Sequence, residues 1–195
     1  MKKSKDKIQN KPLRAHWWDY SCNASYFVTI CTRMKFPYFG EVKDQKMILN
    51  ELGRCAEICW YDIPNHFPFV ELGEFVVMPD HIHGILTINK PSLSKMQVES
   101  QNIATPQSQH GDLLDNYIGK NKFGPQSKNL ASVIRGYKIK EKKKSKSLYP
   151  NFKWQTLYYD HIIRNETDLK RIVKYILDNP MNWGKKRKVK PQKHP

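Results

Sequence analysis

The sequence predicts an α+β domain in which helices pack on one face of an antiparallel sheet, with basic tails attached. Three observations lead there. Short runs rich in β-branched and aromatic residues are interspersed with longer stretches of helical periodicity. Two of the β runs stand too close together for a crossover, so they must pair as an antiparallel hairpin. The charge is also segregated. The chain has 195 residues and a formal charge of +16, yet residues 1–14, 135–146 and 185–195 net +5, +6 and +6, which leaves −1 for the rest. An ordinary near-neutral domain therefore carries three basic attachments.

The elements follow in order. Ser25–Thr32, SYFVTICT, reads as a strand, and a turn around Pro37 and Gly40 follows it. Residues 46–62 place Met47, Ile48, Leu52, Cys55, Ala56, Cys59 and Trp60 at helical spacing, so a helix is expected up to Pro64. Residues 67–78 predict a strand interrupted at Gly73, Pro79-Asp80 a turn, and His81–Asn89 the returning strand. Residues 90–128 are rich in Ser, Gln, Asn and Pro without periodicity and read as a polar insertion or loop. Leu130–Lys144 is a basic helix, Trp154–Ile163 a strand, and Glu166–Asp178 a helix capped by Asn165 and closed by Asn179-Pro180. The expected layout is a basic arm (1–19), a domain (20–184) and a basic tail (185–195). Its element order makes a ferredoxin-like arrangement the natural expectation.

Composition excludes some classes. Aromatics at 12% are too many for a wholly disordered chain. No run of 18 apolar residues exists, so no membrane span and no membrane partner are expected. The opening MKKSKDKIQNKPLR lacks the apolar stretch of a secretory signal. The cysteines, Cys22, Cys31, Cys55 and Cys59, form no zinc-ribbon spacing and are expected as reduced thiols. The high positive charge points to a polyanion.

His81-Ile-His83 is the sharpest local signal. On a strand both imidazoles project to one face while Ile82 faces the other. Two imidazoles on one face can share a metal ion. They can equally be two half-buried histidines bonded to backbone, so a third ligand and a nucleophile are needed. The last helix offers both: Tyr175 and Asn179 are one turn apart, beside the stripe Leu169, Ile172, Val173, Ile176 and Leu177. Taken alone, Tyr175 could cover the core edge and Asn179 could cap the helix.

Three segments carry a resemblance: Phe75–Leu86 (FVVMPDHIHGIL), Trp154–Asn165 (WQTLYYDHIIRN) and Ile172–Pro180 (IVKYILDNP). Together they resemble the REP-associated tyrosine transposases, in the insertion-sequence HUH single-strand transposase family with one catalytic tyrosine. The likeness covers about residues 20–88 and 129–184. It implies a ferredoxin-like core and nicking and rejoining of single-stranded DNA beside hairpins. It further implies His81 and His83 as catalytic metal ligands, Asn179 as the third ligand, Tyr175 as nucleophile, and Mg or Mn as the divalent ion. His161 matches a recurrent family histidine without a firm role. A prokaryotic, cytoplasmic, nucleoid-associated protein is expected, as monomer or homodimer. The insertion and the three basic segments match nothing in the family.

The basic segments are expected to grip DNA phosphates: Arg135, Lys138, Lys142, Lys143 and Lys144 on one helix, and Lys185, Lys186, Arg187 and Lys188 in the tail. Trp17, Trp18 and Tyr20 could stack bases or pack on the sheet. Two other readings compete: a catalytically idle nucleic-acid-binding protein retaining the fold, and a metallohydrolase that activates water at the histidines.

Overall fold

In the computed structural model, the residues described are 17–91 and 127–185. The expectations placed on residues 1–16, 92–126 and 186–195 lie outside them, among these Lys186, Arg187 and Lys188. The elements are β1 (Ala24–Cys31), β2 (Gly40–Lys43), β3 (Lys46–Leu49), α1 (Glu51–Tyr61), α2 (Ile63–His66), β4 (Val70–Met78), β5 (His81–Ile88), α3 (Leu130–Ser145), β6 (Tyr159–Ile163) and α4 (Glu166–Leu177). The main sheet has the order β4-β5-β1-β6, and every neighbouring pair is antiparallel. With α1 after β1 and α3 after β5, this is the βαββαβ ferredoxin-like arrangement expected from the sequence.

Strand alternation sorts the residues onto two faces. On one face Tyr26, Val28, Ile30, Ile82 and Leu86 join Leu52, Ala56 and Trp60 of α1 and Val133, Ile134 and Tyr137 of α3 in one buried core. Gly84 permits this packing. A Cβ there would lie 2.2 Å from the Trp60 ring, so the indole lies directly on the β5 backbone. The opposite face holds a smaller cluster, Phe27 and Ile85 beneath Ile172 and Ile176 of α4.

Three expectations need adjustment. The α+β class holds, with α1 and α3 sharing one face, but α4 covers the other face. Both sides of β1 carry large apolar residues, and Phe27, on the side opposite Tyr26 and Val28, is what α4 buries. Second, the helix expected from residue 46 begins at Glu51. Asp44 and Gln45 both adopt positive φ (50° and 61°) and turn the chain back, so 46–49 pairs with β2 as a hairpin. Asn50 then caps α1 by accepting from the Gly53 N–H at 2.9 Å. Third, the strand expected from Trp154 starts only at Tyr159. Trp154 makes an isolated bridge to Thr32, and its indole N–H donates to Glu141 on α3 at 2.9 Å. The interruption at Gly73 is a bulge, where β4 slips register against β5 between Leu72 and Phe75.

Candidate active site

The Pro79-Asp80 turn joins β4 to β5, with Met78 opposite His81. The first residue of β5 therefore sits at the sheet's end, and its side chain and that of His83 project to the face covered by α4. The two rings meet with their Nε2 atoms 3.0 Å apart. Each ring is oriented through its other nitrogen: His81 Nδ1 bonds to the Asp80 carboxylate, and His83 Nδ1 to the Thr29 hydroxyl at 2.8 Å. His83 is 4% exposed and stacks on Phe27, with centroids 5.2 Å apart. If both Nδ1 atoms carry the proton, two Nε2 lone pairs face one another, and they repel unless a proton or cation lies between. At the usual metal–nitrogen length of about 2.1 Å, two neighbouring ligands on one ion stand about 3 Å apart. The pair, with both outer nitrogens held, fits a divalent ion.

Helix α4 supplies the remaining groups. Asn165 caps it, accepting from the Asp168 N–H at 2.9 Å, and Ile172 and Ile176 seat it on Phe27 and Ile85. That seating brings the Tyr175 hydroxyl to 3.4 Å from His83 Nε2, with the Tyr175 ring edge-on to Phe27. Asn179, 8% exposed, follows one turn later. A cleft of about 510 Å³ is lined by His81, His83, Tyr175 and Asn179 together. Among the described residues no three His, Cys, Asp or Glu side chains converge. Amide, hydroxyl or phosphate oxygens would thus complete the shell of an ion at the two imidazoles, which suits Mg or Mn.

The same cleft contains residues that sequence reasoning passed over. Trp183 lies 6.0 Å, ring to ring, from His81, and Lys35 and Asn182 line the wall. Lys35 follows Met34, and both have positive φ (53° and 57°), a backbone no residue pattern would have flagged. Lys185 lines the cleft. The helix α3 does not approach it. Arg135, Lys142, Lys143 and Lys144 are exposed, but their helix packs on the opposite face of the sheet. Lys138 is drawn inward: its ammonium donates to the carbonyls of Gln155 and Thr156 at 2.7 and 3.1 Å, and burial pushes it down to about 8. Trp18 and Tyr20 also pack, the former donating to the Tyr26 hydroxyl at 2.9 Å and the latter stacking on its ring. Trp17 remains exposed beside Arg164.

His161 stands on the same side of the sheet, across β1 from His81 and His83, paired with Asp168 at 2.7 Å. Hydrogen bonds from His161 and then Arg171 hold the Asp168 carboxyl below the usual carboxylate range.

An uncharacterized protein of Haemophilus influenzae is 34% identical over 176 residues, covering 89% of each chain. The chain belongs to the same family as this Haemophilus protein. Among solved structures, a REP-associated tyrosine transposase bound to a REP hairpin has the same fold, with a TM-score of 0.52 and 19% identity over 88% of this chain and 75% of that one. A candidate transposase from Deinococcus radiodurans aligns at a TM-score of 0.40 and 17% identity, over 91% of this chain and 97% of its own. No protein-family model matches. The resemblance read from three sequence segments is thus matched by the fold. Among the described residues no helix is long and apolar enough to cross a membrane.

Proposed function

We propose that this protein is a transposase-like enzyme that cuts and rejoins single-stranded DNA beside hairpins through Tyr175. One observation carries the reading: the Tyr175 hydroxyl, His83 Nε2 and His81 Nε2 converge within one cleft, at 3.4 and 3.0 Å along the series.

His81, His83 and Asn179 would hold a divalent ion. When bound, such an ion would polarise the scissile phosphate and offset charge developing in the transition state. The chain's own groups do the rest. Thr29 and Asp80 fix the two ring orientations, and Phe27 fixes the planes of His83 and Tyr175. The phenolic oxygen of Tyr175 forms a bond to phosphorus as the bond from phosphorus to the 3′ oxygen breaks. The tyrosine gives up its proton to solvent, and the leaving oxygen takes one to become a free 3′-OH. The product is a 5′-phosphotyrosine. It conserves the phosphodiester linkage, so another 3′-OH can reverse the step and rejoin strands without ATP.

Lys35 and Lys185 would meet phosphates at the cleft mouth, and Trp183 offers a ring on which an unpaired base can stack. The test is a labelled hairpin oligonucleotide with a single-stranded flank, incubated with Mg or Mn and run on a denaturing gel. The expected result is a protein-linked product, absent in Tyr175→Phe while hairpin binding persists. An undiminished adduct in that variant sinks the assignment. Multiple-turnover hydrolysis with no linked protein would favour the metallohydrolase, and binding without cleavage the idle binder.

A further inference from the structure

Thr29, His83 and Tyr175 are shared by two clefts. The second, of about 410 Å³, lies on the side away from Asn179, and its walls include Tyr159, His161, Arg171 and Ile172. This is within the size range of small-ligand sites. We infer that it is a nucleotide subsite, which takes the base and the phosphate of a nucleotide next to the cleaved bond. The inference rests on Tyr175 being the nucleophile.

The sheet's register sets the spacing. Thr29 pairs with His83 on one side and with Tyr159 on the other, so the three side chains form one row across β5, β1 and β6 on a single face. Strands lie about 4.8 Å apart, which puts Tyr159 about 10 Å along the row from the histidine pair. That is close to the reach of a single nucleotide. Tyr159 is 50% exposed, and its ring meets Phe27 edge-on at 6.4 Å, so a broad aromatic face is braced from below and open above.

The helix provides the complementary charge. Arg171 precedes Tyr175 by four residues and so shares its side of α4, as Asn179 does one turn beyond. The nucleophile is thus flanked by a guanidinium toward the second cleft and an amide toward the first. Arg171 is not left to wander. Its guanidinium is tied to Asp168, whose other carboxylate oxygen holds His161. Asp168 is not part of the cleft wall, whereas Arg171 and His161 are. The guanidinium fork has five N–H donors, and those not used on Asp168 can face a phosphate in the cleft. A ring for the base about 10 Å from the histidine pair and a held cation for the phosphate fit single-stranded DNA entering from the β6 edge.

The test uses the full-length protein carrying Tyr175→Phe, so that binding is read without chemistry. Affinities are measured for a bare DNA hairpin and for the same hairpin with a short mixed-sequence single-stranded extension. Adding Tyr159→Ala or Arg171→Gln should weaken binding of the extended probe about ten-fold and change that of the bare hairpin by less than about two-fold. Tyr159→Trp should restore the extended probe. Arg171→Gln should lower the slope of log affinity against log salt by about 0.7, and Tyr159→Ala should not. Equal losses on both probes, or none on the extended one, overturn the subsite. If the wild-type protein forms no adduct but these differences appear, the cleft binds single-stranded DNA, and both the nucleophile assignment and the subsite's place beside a cleaved bond fall. If adduct forms and the differences do not appear, the nucleophile assignment stands and the subsite falls.

Discussion

The two faces of the main sheet are built from alternate residues of the same strands, yet they differ in kind. Beneath α1 and α3, Tyr26, Val28, Ile30, Ile82 and Leu86 are all fully buried, and the Trp60 ring is 0% exposed between Gly84 and a stacked Phe75, 4.5 Å centroid to centroid. On the α4 side Phe27 and Ile85 form a small buried apolar cluster with Ile172 and Ile176 of the helix, and polar groups (Thr29, His83, Tyr175) continue the surface outward from them. One face is close-packed and supplies stability. The other has just enough apolar contact to seat one helix and leaves the end of the sheet to chemistry. Period-two alternation allows this division: side chains on one face change without disturbing the other.

The sharpest way to break that contrast is to mutate each face in turn. Replacing His81 and His83 together with alanine should abolish metal-dependent cleavage, with covalent product reduced to background, because both imidazoles of the proposed ion site go at once. The fold should survive, since the main core is untouched. Truncating the other face should do the opposite. Trp60→Ala empties a fully buried indole position and should cost about 3–5 kcal/mol, read as a lower denaturant midpoint. Adduct formation should persist at a temperature where the variant is still folded. A catalytic loss in Trp60→Ala well below its unfolding midpoint, or a stability loss in the histidine variant as large as that of Trp60→Ala, would mean that the faces are not independent.

The same contrast explains what could be read from residues alone. His81 and His83 were readable as a pair because strand period is two, and Tyr175 with Asn179 because helical neighbours are four apart. Both are local rules. Which face α4 would cover was not readable, because Phe27 and its neighbours make β1 apolar on both sides. The residues 46–49 had helical spacing, but the Asp44-Gln45 turn, with positive φ at two non-glycine residues, overrode it. Lys138 looked like its basic neighbours, and only tertiary structure turns its ammonium onto the carbonyls of Gln155 and Thr156. Arg171 stands outside the three segments, and Tyr159 lies within Trp154–Asn165 with no role of its own. They become conspicuous once β-register and helix docking bring them to either side of one cleft.

The smallest expected effect is electrostatic, and it has opposite sign on the two faces. Glu141 on α3 is fully buried, and burial pushes its carboxyl up to about 7. An acid whose value is raised by folding favours the native state while protonated. Below about 4.5, its ordinary value, it is protonated folded and unfolded alike and costs nothing. Between about 4.5 and 7 the unfolded chain loses the proton and the native state keeps it, so stability falls as pH rises. Above about 7 the full cost, about 3 kcal/mol, applies. Asp168, beside the second cleft, is shifted down by His161 and Arg171, so its stabilisation is present above its ordinary value and is lost as pH falls. Glu141→Gln keeps an oxygen for the Trp154 indole and removes the ionisation. Denaturant melts from pH 4.5 to 8 should show wild-type stability declining by up to that amount and a flatter profile in Glu141→Gln. Asp168→Asn should remove the loss of stability that the wild type shows as pH falls below the ordinary carboxylate range. A Glu141→Gln slope equal to wild type would place the carboxylate's charge in solvent and remove the electrostatic difference between the faces.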